Sequence, residues 1–569
     1  LFQNKASLTH PKFEAYIAVC SDALDTMHMI FVENYDSMNE ESVHFMLKIL
    51  LATGDAILEP EEKQVPLSDR LASQAIRVLL DVWLVAGTKD ASLWKGISDM
   101  FLRWSHRVCV VSQWQEVCWS ITMYLERLLF GENDGLDVLH LSTKDATLRP
   151  SLADTVHLWY RMLFLIGDPA YVGNPQAYLV IIRALTAICD SLLTVGSTFH
   201  PRNSPTNAPP VPTDGNSLLA IFGPWLFEAS FGVLKPRKGN VHGLTGGISE
   251  SDFCDGQAEA CAGLCRLFCT EQVRPFRELY LARFFSCMYE NLVENNHHII
   301  VSIISHIHPI FSRELKGSLM LLPSLLHRCS QILGGDVAFA TQHVTPDQLK
   351  QRCLSIVGSV VCFASHLGDL PISTSFAKVE TYAVNVRPVS LPVSYLREFI
   401  STTLQSGMRI ECQPATRRSF IWTAGVYLCD CLASAPASAE ITKVFDTLQE
   451  WLRQRSIASD KDTIVALFDC FSTLAFFADK LKEFHPSLVR SITLGLASFV
   501  GDWVRHVKSI SKEEATTGTA CCSAAVYCLQ DWIMASSWIL GDPFCLWAIL
   551  ETTEIAMSGQ LGIAASLID

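Results

Sequence analysis

The chain has 569 residues, 49% of them hydrophobic and only 18% charged, with a formal net charge of −14. That acidity argues against a nucleic-acid binder, which needs cations to displace the counterions held along the phosphates. A charged share below the ~25% of ordinary globular proteins leaves apolar material for a large core or for a partner.

The first residues, LFQNKASLTHPKFEAY, lack the basic-then-apolar order of a secretory signal. A start at Leu1 and an end at LGIAASLID read as a piece of something longer. Ser37 and Glu40 have capping-box spacing, hydroxyl to the N3 amide and carboxylate back to the cap. Leu71, Ala75, Val78 and Val82, with Leu79 and Trp83 beside them, then make one apolar helix face. Val117, Ile121, Tyr124 and Leu128 repeat that period. Ser151, after Pro150, reads as the start of the next helix. Glycines at 54, 87, 131, 167, 196 and 334 each follow a periodic apolar run and read as helix stops.

Residues 197–216 hold five prolines and no apolar period, so a disordered loop is expected there. Pro209 and Pro212 make a PxxP that suits an SH3 groove, and Ser204-Pro205 suits phosphorylation. Both patterns are common in loops, and a linker is the simpler reading. A second, glycine-rich connection is expected over 236–252.

Between and after them, Ser217 to Leu292 reads as helical, and Cys261, Cys265 and Cys269 stand four apart on one face. Three thiols strung along one straight helix, roughly 6 Å per step, cannot converge on a single zinc. Leu264, Leu267 and Phe268 interleave with them, so a packing face is expected. His297, His298, His306 and His308 follow within twelve residues; solvated or capping roles suit them better than a metal.

Thr345, Pro346 and Gln348 supply a cap, a proline at N1 and a glutamine at N3. Val379 to Val393 alternates in part but contains Pro388 and Pro392, which suits a loop or a short edge strand. Val465, Phe468, Phe471 and Ala475, widened by Leu467 and Leu474, give a further helix face. No charge-free apolar run reaches the ~18–20 residues of a membrane span, the longest being Ala515 to Gln530.

The predicted class is therefore all-α, an irregular HEAT- or armadillo-like α-solenoid of roughly twenty helices, in a first part (1–196) and a second (217–569). Most tryptophans, from Trp104 to Trp547, fall on apolar faces as gap-fillers, with one or two left to anchor a partner. The twenty cysteines are scattered, and Cys20, Cys109, Cys118, Cys189, Cys362 and Cys470 sit inside apolar runs, as reduced thiols do. A reducing, cytoplasmic compartment is expected. GxxxxGK[ST], GxSxG and HExxH are all missing, and no GxGxxG follows a strand. No catalytic, cofactor-binding or metal-ligating residue is assigned.

The order of FGPWLFEASF, GQAEACAGLCRLFC, LYLARFF and RELKGSLMLLPSLL resembles the amino-terminal helical region of the Ral GTPase-activating protein beta subunits. Upstream, VLLDVWLVAG, VVSQWQEVCWSITMYLERLL and HLWYRMLFLIGDP fall in the same order. The Pro-rich break sits where that family carries a much longer Ser/Pro-rich insertion. The resemblance implies a cytosolic scaffold subunit that pairs with a catalytic alpha subunit. The complex, similar to tuberin–hamartin, would accelerate GTP hydrolysis by Ral-type small GTPases.

In that family a helical asparagine of the alpha subunit does the work of an arginine finger. The Asn133-Asp134 pair here lies in an expected inter-helix turn, so the role is not carried over. Two other readings stay open. One is a helical-repeat adaptor in trafficking or transport without GTPase linkage. The other is an enzyme or metalloprotein built on the Cys and His clusters.

Overall fold

The computed structural model describes residues 10–58, 66–130, 138–141, 147–198, 214–235, 250–272, 274–335, 344–367, 370–372, 389–391, 393–411, 413–453, 460–506 and 512–557. The Asn133-Asp134 turn, the PxxP, Ser204-Pro205, Gly131 and most of the 236–252 connection lie outside them. The described chain is all-α apart from two short antiparallel ribbons, β1 (Leu139–His140) with β2 (Thr147–Leu148) and β3 (Leu370–Ile372) with β4 (Val389–Leu391). The second ribbon takes up three residues of the 379–393 segment.

Contacts divide the chain into two compact units, Leu1–Asn291 with His298–His306, and Leu292–His297 with Ile307–Asp569. The first unit begins with α1 (His10–Asn34), α2 (Glu40–Leu58), α3 (Pro66–Ala86), α4 (Ala91–Trp104) and α5 (Val108–Phe130). It continues through α6 (Leu152–Leu163), α7 (Pro175–Thr198), α8 (Gly215–Ser230), α9 (Cys254–Cys269), most of α10 (Glu278–Val293) and of α11 (His297–Ile307). Helices one or two apart in the chain pack on each other: α1 on α3, α3 on α5, α5 on α7 and α7 on α9. Because α7 and α8 both pack on α9, the two sides of the Pro-rich segment share one unit.

The second unit runs through α12 (Leu322–Leu333), α13 (Pro346–Val360), α14 (Phe363–Leu367), α15 (Val393–Ile410), α16 (Pro414–Ser434) and α17 (Ala439–Arg453). It ends with α18 (Lys461–Ala475), α19 (Ala478–Phe484), α20 (Pro486–His506), α21 (Lys512–Ala535) and α22 (Pro543–Met557). Here α12 meets α13, α13 meets α16, α16 meets α18 and α18 meets α21. In each unit, then, helices bury their apolar faces on near neighbours in the chain, the packing of an irregular solenoid.

Local sequence explains most boundaries. Thr345 and Gln348 close a full capping box at α13, and the Ser151 hydroxyl accepts the Asp154 amide at α6. At α2 the expected cap is displaced: Ser37 ends a 3-10 turn, and Asn39 Oδ1 accepts the Ser42 amide at 2.8 Å. Asn39 wins because its carbonyl reaches an amide three residues on, whereas the Ser37 hydroxyl donates back to Asn34 O.

Gly87 ends α3 in the left-handed region (φ 51°), as a helix-stopping glycine should. Gly54 and Gly196 stop nothing, since α2 and α7 run through them. Gly54 instead admits the Trp104 ring, which a Cβ there would meet at 3.1 Å.

The Leu71–Trp83 face is wholly buried. On α18 Leu467, Phe468, Phe471, Leu474 and Ala475 of the expected face are buried, and Val465 at its edge is half-buried.

Several tryptophans and tyrosines do more than fill space. Tyr35 Oη donates to Ala86 O at the end of α3, and Trp114 Nε1 to Met162 O in the last turn of α6. Trp451 Nε1 donates to Met408 O in the last turn of α15. A buried aromatic N–H or O–H needs an acceptor, and a helix C-terminus has carbonyls without intrahelical partners, so each answers the other.

Candidate functional site

The ladder cysteines and several of the clustered histidines have local structural tasks. The three ladder cysteines are fully or almost fully buried on α9. Cys261 Sγ lies 3.9 Å from Ser230 O, and Cys265 Sγ 3.5 Å from Met288 Sδ. Burial pushes the Cys261 and Cys265 thiols well above the ordinary range, which keeps them protonated and unreactive. Cys287, on α10, faces the same place and donates to Ser230 Oγ at 2.9 Å.

The opposite face of α9 is built from small residues against α7. A Cβ on Gly256 would lie 2.4 Å from the Tyr178 ring, and one on Gly263 would lie 2.4 Å from Thr186 Cγ2. This close approach brings a polar clamp together at the edge of the contact. Arg266 Nε lies 2.7 Å from Asp190 Oδ2, and Nη2 donates to Glu259 Oε1 at 2.9 Å. Thr186 Oγ1 donates to the same Glu259 oxygen at 2.9 Å.

Burial raises Asp190 to about 6; Arg266 opposes the rise and Glu259 adds to it. Arg266 Nη1 also lies 3.4 Å from His306 Nε2, while His306 Nδ1 lies 2.9 Å from Ser302 O. Arginine can only donate, so Nε2 accepts and the proton sits on Nδ1.

Two more of the clustered histidines are likewise committed: His298 pairs with Asp255 at 3.2 Å, and His308 Nε2 accepts from Arg352 at 3.0 Å. His28 and Asp81 form a buried pair at 3.3 Å between α1 and α3, a dyad in appearance but sealed from any substrate. A groove of 540 Å³ beside Tyr35 holds His44, Lys89 and Asp90. There Asp90 caps α4, and its bonds to Ser92 hold it below the usual carboxylate range. Arg328, nearly buried, closes the carboxyl end of α10 by donating to Leu292, Val293 and Glu294 carbonyls at 2.8–3.2 Å.

What remains for an outside partner is apolar surface. Among the tryptophans whose side chains are described, Trp119, Trp422 and Trp547 are exposed, at 39%, 54% and 68%. On α22, Phe544, Trp547 and Leu550 follow at three-residue steps, all exposed, and Arg490 covers the Phe544 ring at 5.3 Å. On α6 a second stripe, Leu152, Val156 and Tyr160, is exposed at four-residue steps. The sequence showed these as apolar positions but could not separate them from core positions with the same period.

Two helices are also long and apolar enough to cross a membrane by length and composition alone, Phe13–Ser37 and Pro175–Thr194. Both carry charged residues, so neither is a charge-free run. The second belongs to α7, which packs against α5, α8 and α9.

Sequential helix stacking, polar groups spent on capping and clamping, and exposed aromatic stripes define an all-α helical-repeat protein. Residues 12–132 match the family described as the RALGAPB N-terminal domain. The chain is 23% identical to the human Ral GTPase-activating protein subunit beta over 62% of its own length and 33% of that protein. It is 21% identical to a Rap-GAP domain-containing protein of Dictyostelium discoideum, over 92% of this chain and 32% of the relative. With the rat Ral GTPase-activating protein subunit alpha-1 it shares 23% identity over 66% of this chain and 17% of that one. The chain thus spans about a third of the beta-subunit and Dictyostelium relatives. Among solved structures, a circular tandem repeat protein with novel repeat topology aligns over 97% of this chain and 98% of its own, at 11% identity and a TM-score of 0.31.

Proposed function

We propose that this chain is the non-catalytic, beta-type helical region of a heteromeric Ral GTPase-activating complex. In this reading it supports a catalytic alpha subunit that stimulates GTP hydrolysis by Ral-type small GTPases. The observation that carries it is the match of residues 12–132 to the RALGAPB N-terminal domain, joined by similarity to beta subunits over most of the chain. A scaffold role is supported by the uses of the polar clusters described above, each of which closes a helix end or ties two helices together. The cytoplasm is the compartment that suits it, with thiols packed as reduced core groups. The same reading makes α7 a core helix rather than a membrane span, and the net charge of −14 turns the chain away from nucleic acid.

The test is co-expression with an alpha subunit, followed by size-exclusion chromatography and a single-turnover GTPase assay. The pair should co-elute at micromolar concentration, and the chain alone should leave Ral GTP hydrolysis at its intrinsic rate. Two separate monodisperse species would refute assembly through this region. Clear acceleration by the chain alone would refute the scaffold role.

A further inference from the structure

One polar cluster, at the contact of α14 with α16, gathers metal-type ligands as well as tying the two helices together. Cys362 and His366 lie four residues apart on the turn that contains α14, where the His366 amide donates to Cys362 O at 3.1 Å. That spacing directs both side chains to one face. Asp430, on α16, approaches the same face from across the helix contact. The Cys362 sulfur, a His366 ring nitrogen and an Asp430 carboxylate oxygen all lie within 4.8 Å of one another. Ligands held tetrahedrally by zinc at its usual bond lengths stand roughly 3.3–3.8 Å apart, so the three need to close by at most about 1–1.5 Å. His366 is exposed and can swing that far, while Cys362 and Asp430 are half-buried.

We propose that Cys362, His366 and Asp430 bind one zinc ion, with water in the fourth position. The donor set decides the metal. A thiolate excludes magnesium and calcium as preferred occupants, and a mixed sulfur, nitrogen and oxygen set suits borderline Zn²⁺. Charge decides in the same direction: one thiolate and one carboxylate neutralise a dication, so the half-buried site carries no net charge. On binding, the Cys362 S–H bond breaks, a sulfur–zinc bond forms, and the proton leaves to buffer. His366 ligates as neutral imidazole through its lone pair. Ser365 supplies the outer contact, its hydroxyl hydrogen-bonded to Asp430 Oδ1 and 2.9 Å from Cys362 O. Such a bond orients a ligating carboxylate.

The full 569-residue chain, stripped with a chelator, is titrated with Co²⁺ as a spectroscopic probe and then with Zn²⁺ in competition. One Co²⁺ per chain should bind with a thiolate-to-cobalt charge-transfer band, and one equivalent of Zn²⁺ should abolish the band. Cys362→Ser should remove the band. His366→Ala, at an exposed position that leaves circular dichroism and melting of the apoprotein unchanged, should weaken Zn²⁺ binding at least tenfold. A missing band, a band that survives Cys362→Ser, or unchanged Zn²⁺ affinity in His366→Ala would each overturn the proposal.

Discussion

Replacing Gly263 with alanine tests the reasoning about the α7–α9 contact most directly. Alanine in a helix interior is favoured over glycine by about 1 kcal/mol, so propensity alone predicts stabilisation. The structure predicts the reverse. The new methyl would sit 2.4 Å from Thr186 Cγ2, whereas carbons in contact rest about 3.5–4.0 Å apart. Thr186 cannot turn aside cheaply. It is β-branched in a helix, and its hydroxyl is bonded to Glu259, which also holds Arg266. Overpacking of this kind costs about 1–3 kcal/mol, which offsets the propensity gain and leaves a net loss of up to about 2 kcal/mol.

Gly96, in the middle of α4, is the control, because its nearest neighbour would be Leu51 Cδ1 at an ordinary 3.8 Å. Gly96→Ala should raise stability by about 0.5–1 kcal/mol. Urea unfolding of both variants, and of Gly263→Ala combined with Thr186→Ser, reads the difference. Thr186→Ser removes the clashing methyl and keeps the hydroxyl, so the double variant should recover most of the loss. Stabilisation by Gly263→Ala, or no relief from Thr186→Ser, would refute the close-contact argument.

Cys265→Ser should cost about 1–3 kcal/mol through a hydroxyl buried beside Met288, with metal content unchanged; loss of bound metal on elemental analysis would contradict the packing reading of the ladder. Asp190 binds its proton more tightly when folded, from an ordinary 3.8 to about 6, so its contribution to stability is greatest at low pH and declines as pH rises through that window. Asp190→Asn should remove this decline from the difference curve of stability against pH, and an unchanged slope between the two values would count against the assignment. Trp114→Ala should cost about 3–5 kcal/mol, because it opens a fully buried site and leaves Met162 O without its donor. Trp547→Ala should stay within about 0.5 kcal/mol of the parent, and a large loss there would mean that the α22 face is covered.

How much was legible in the sequence depends on the range of the interaction concerned. The α13 capping box, the Gly87 stop and the buried Leu71–Trp83 face involve residues a few positions apart, and those are the features that read correctly. Ser37 lost to Asn39, two residues on, because either polar group can cap a helix start there, and spacing alone does not rank them. Gly54 read as a stop because a glycine after an apolar run carries the same local signal whether it ends a helix or admits a ring. Only the arrival of Trp104 on a different helix decides which.

Helical period and apolar abundance, then, are enough to determine an all-α chain of stacked helices, because each helix must bury a face that its own sequence defines. The same period cannot say which apolar residues stay uncovered, so Trp114 and Trp547 looked alike until neighbouring helices enclosed one and left the other in solvent. Nor can it assemble Cys362 and His366 with Asp430, which lies sixty-four residues beyond His366, since that meeting depends on how α14 and α16 pack. Backbone hydrogen bonding within a helix is local and written in the sequence. The contacts that expose a tryptophan or gather three metal-type ligands are long-range, and only the tertiary structure decides them.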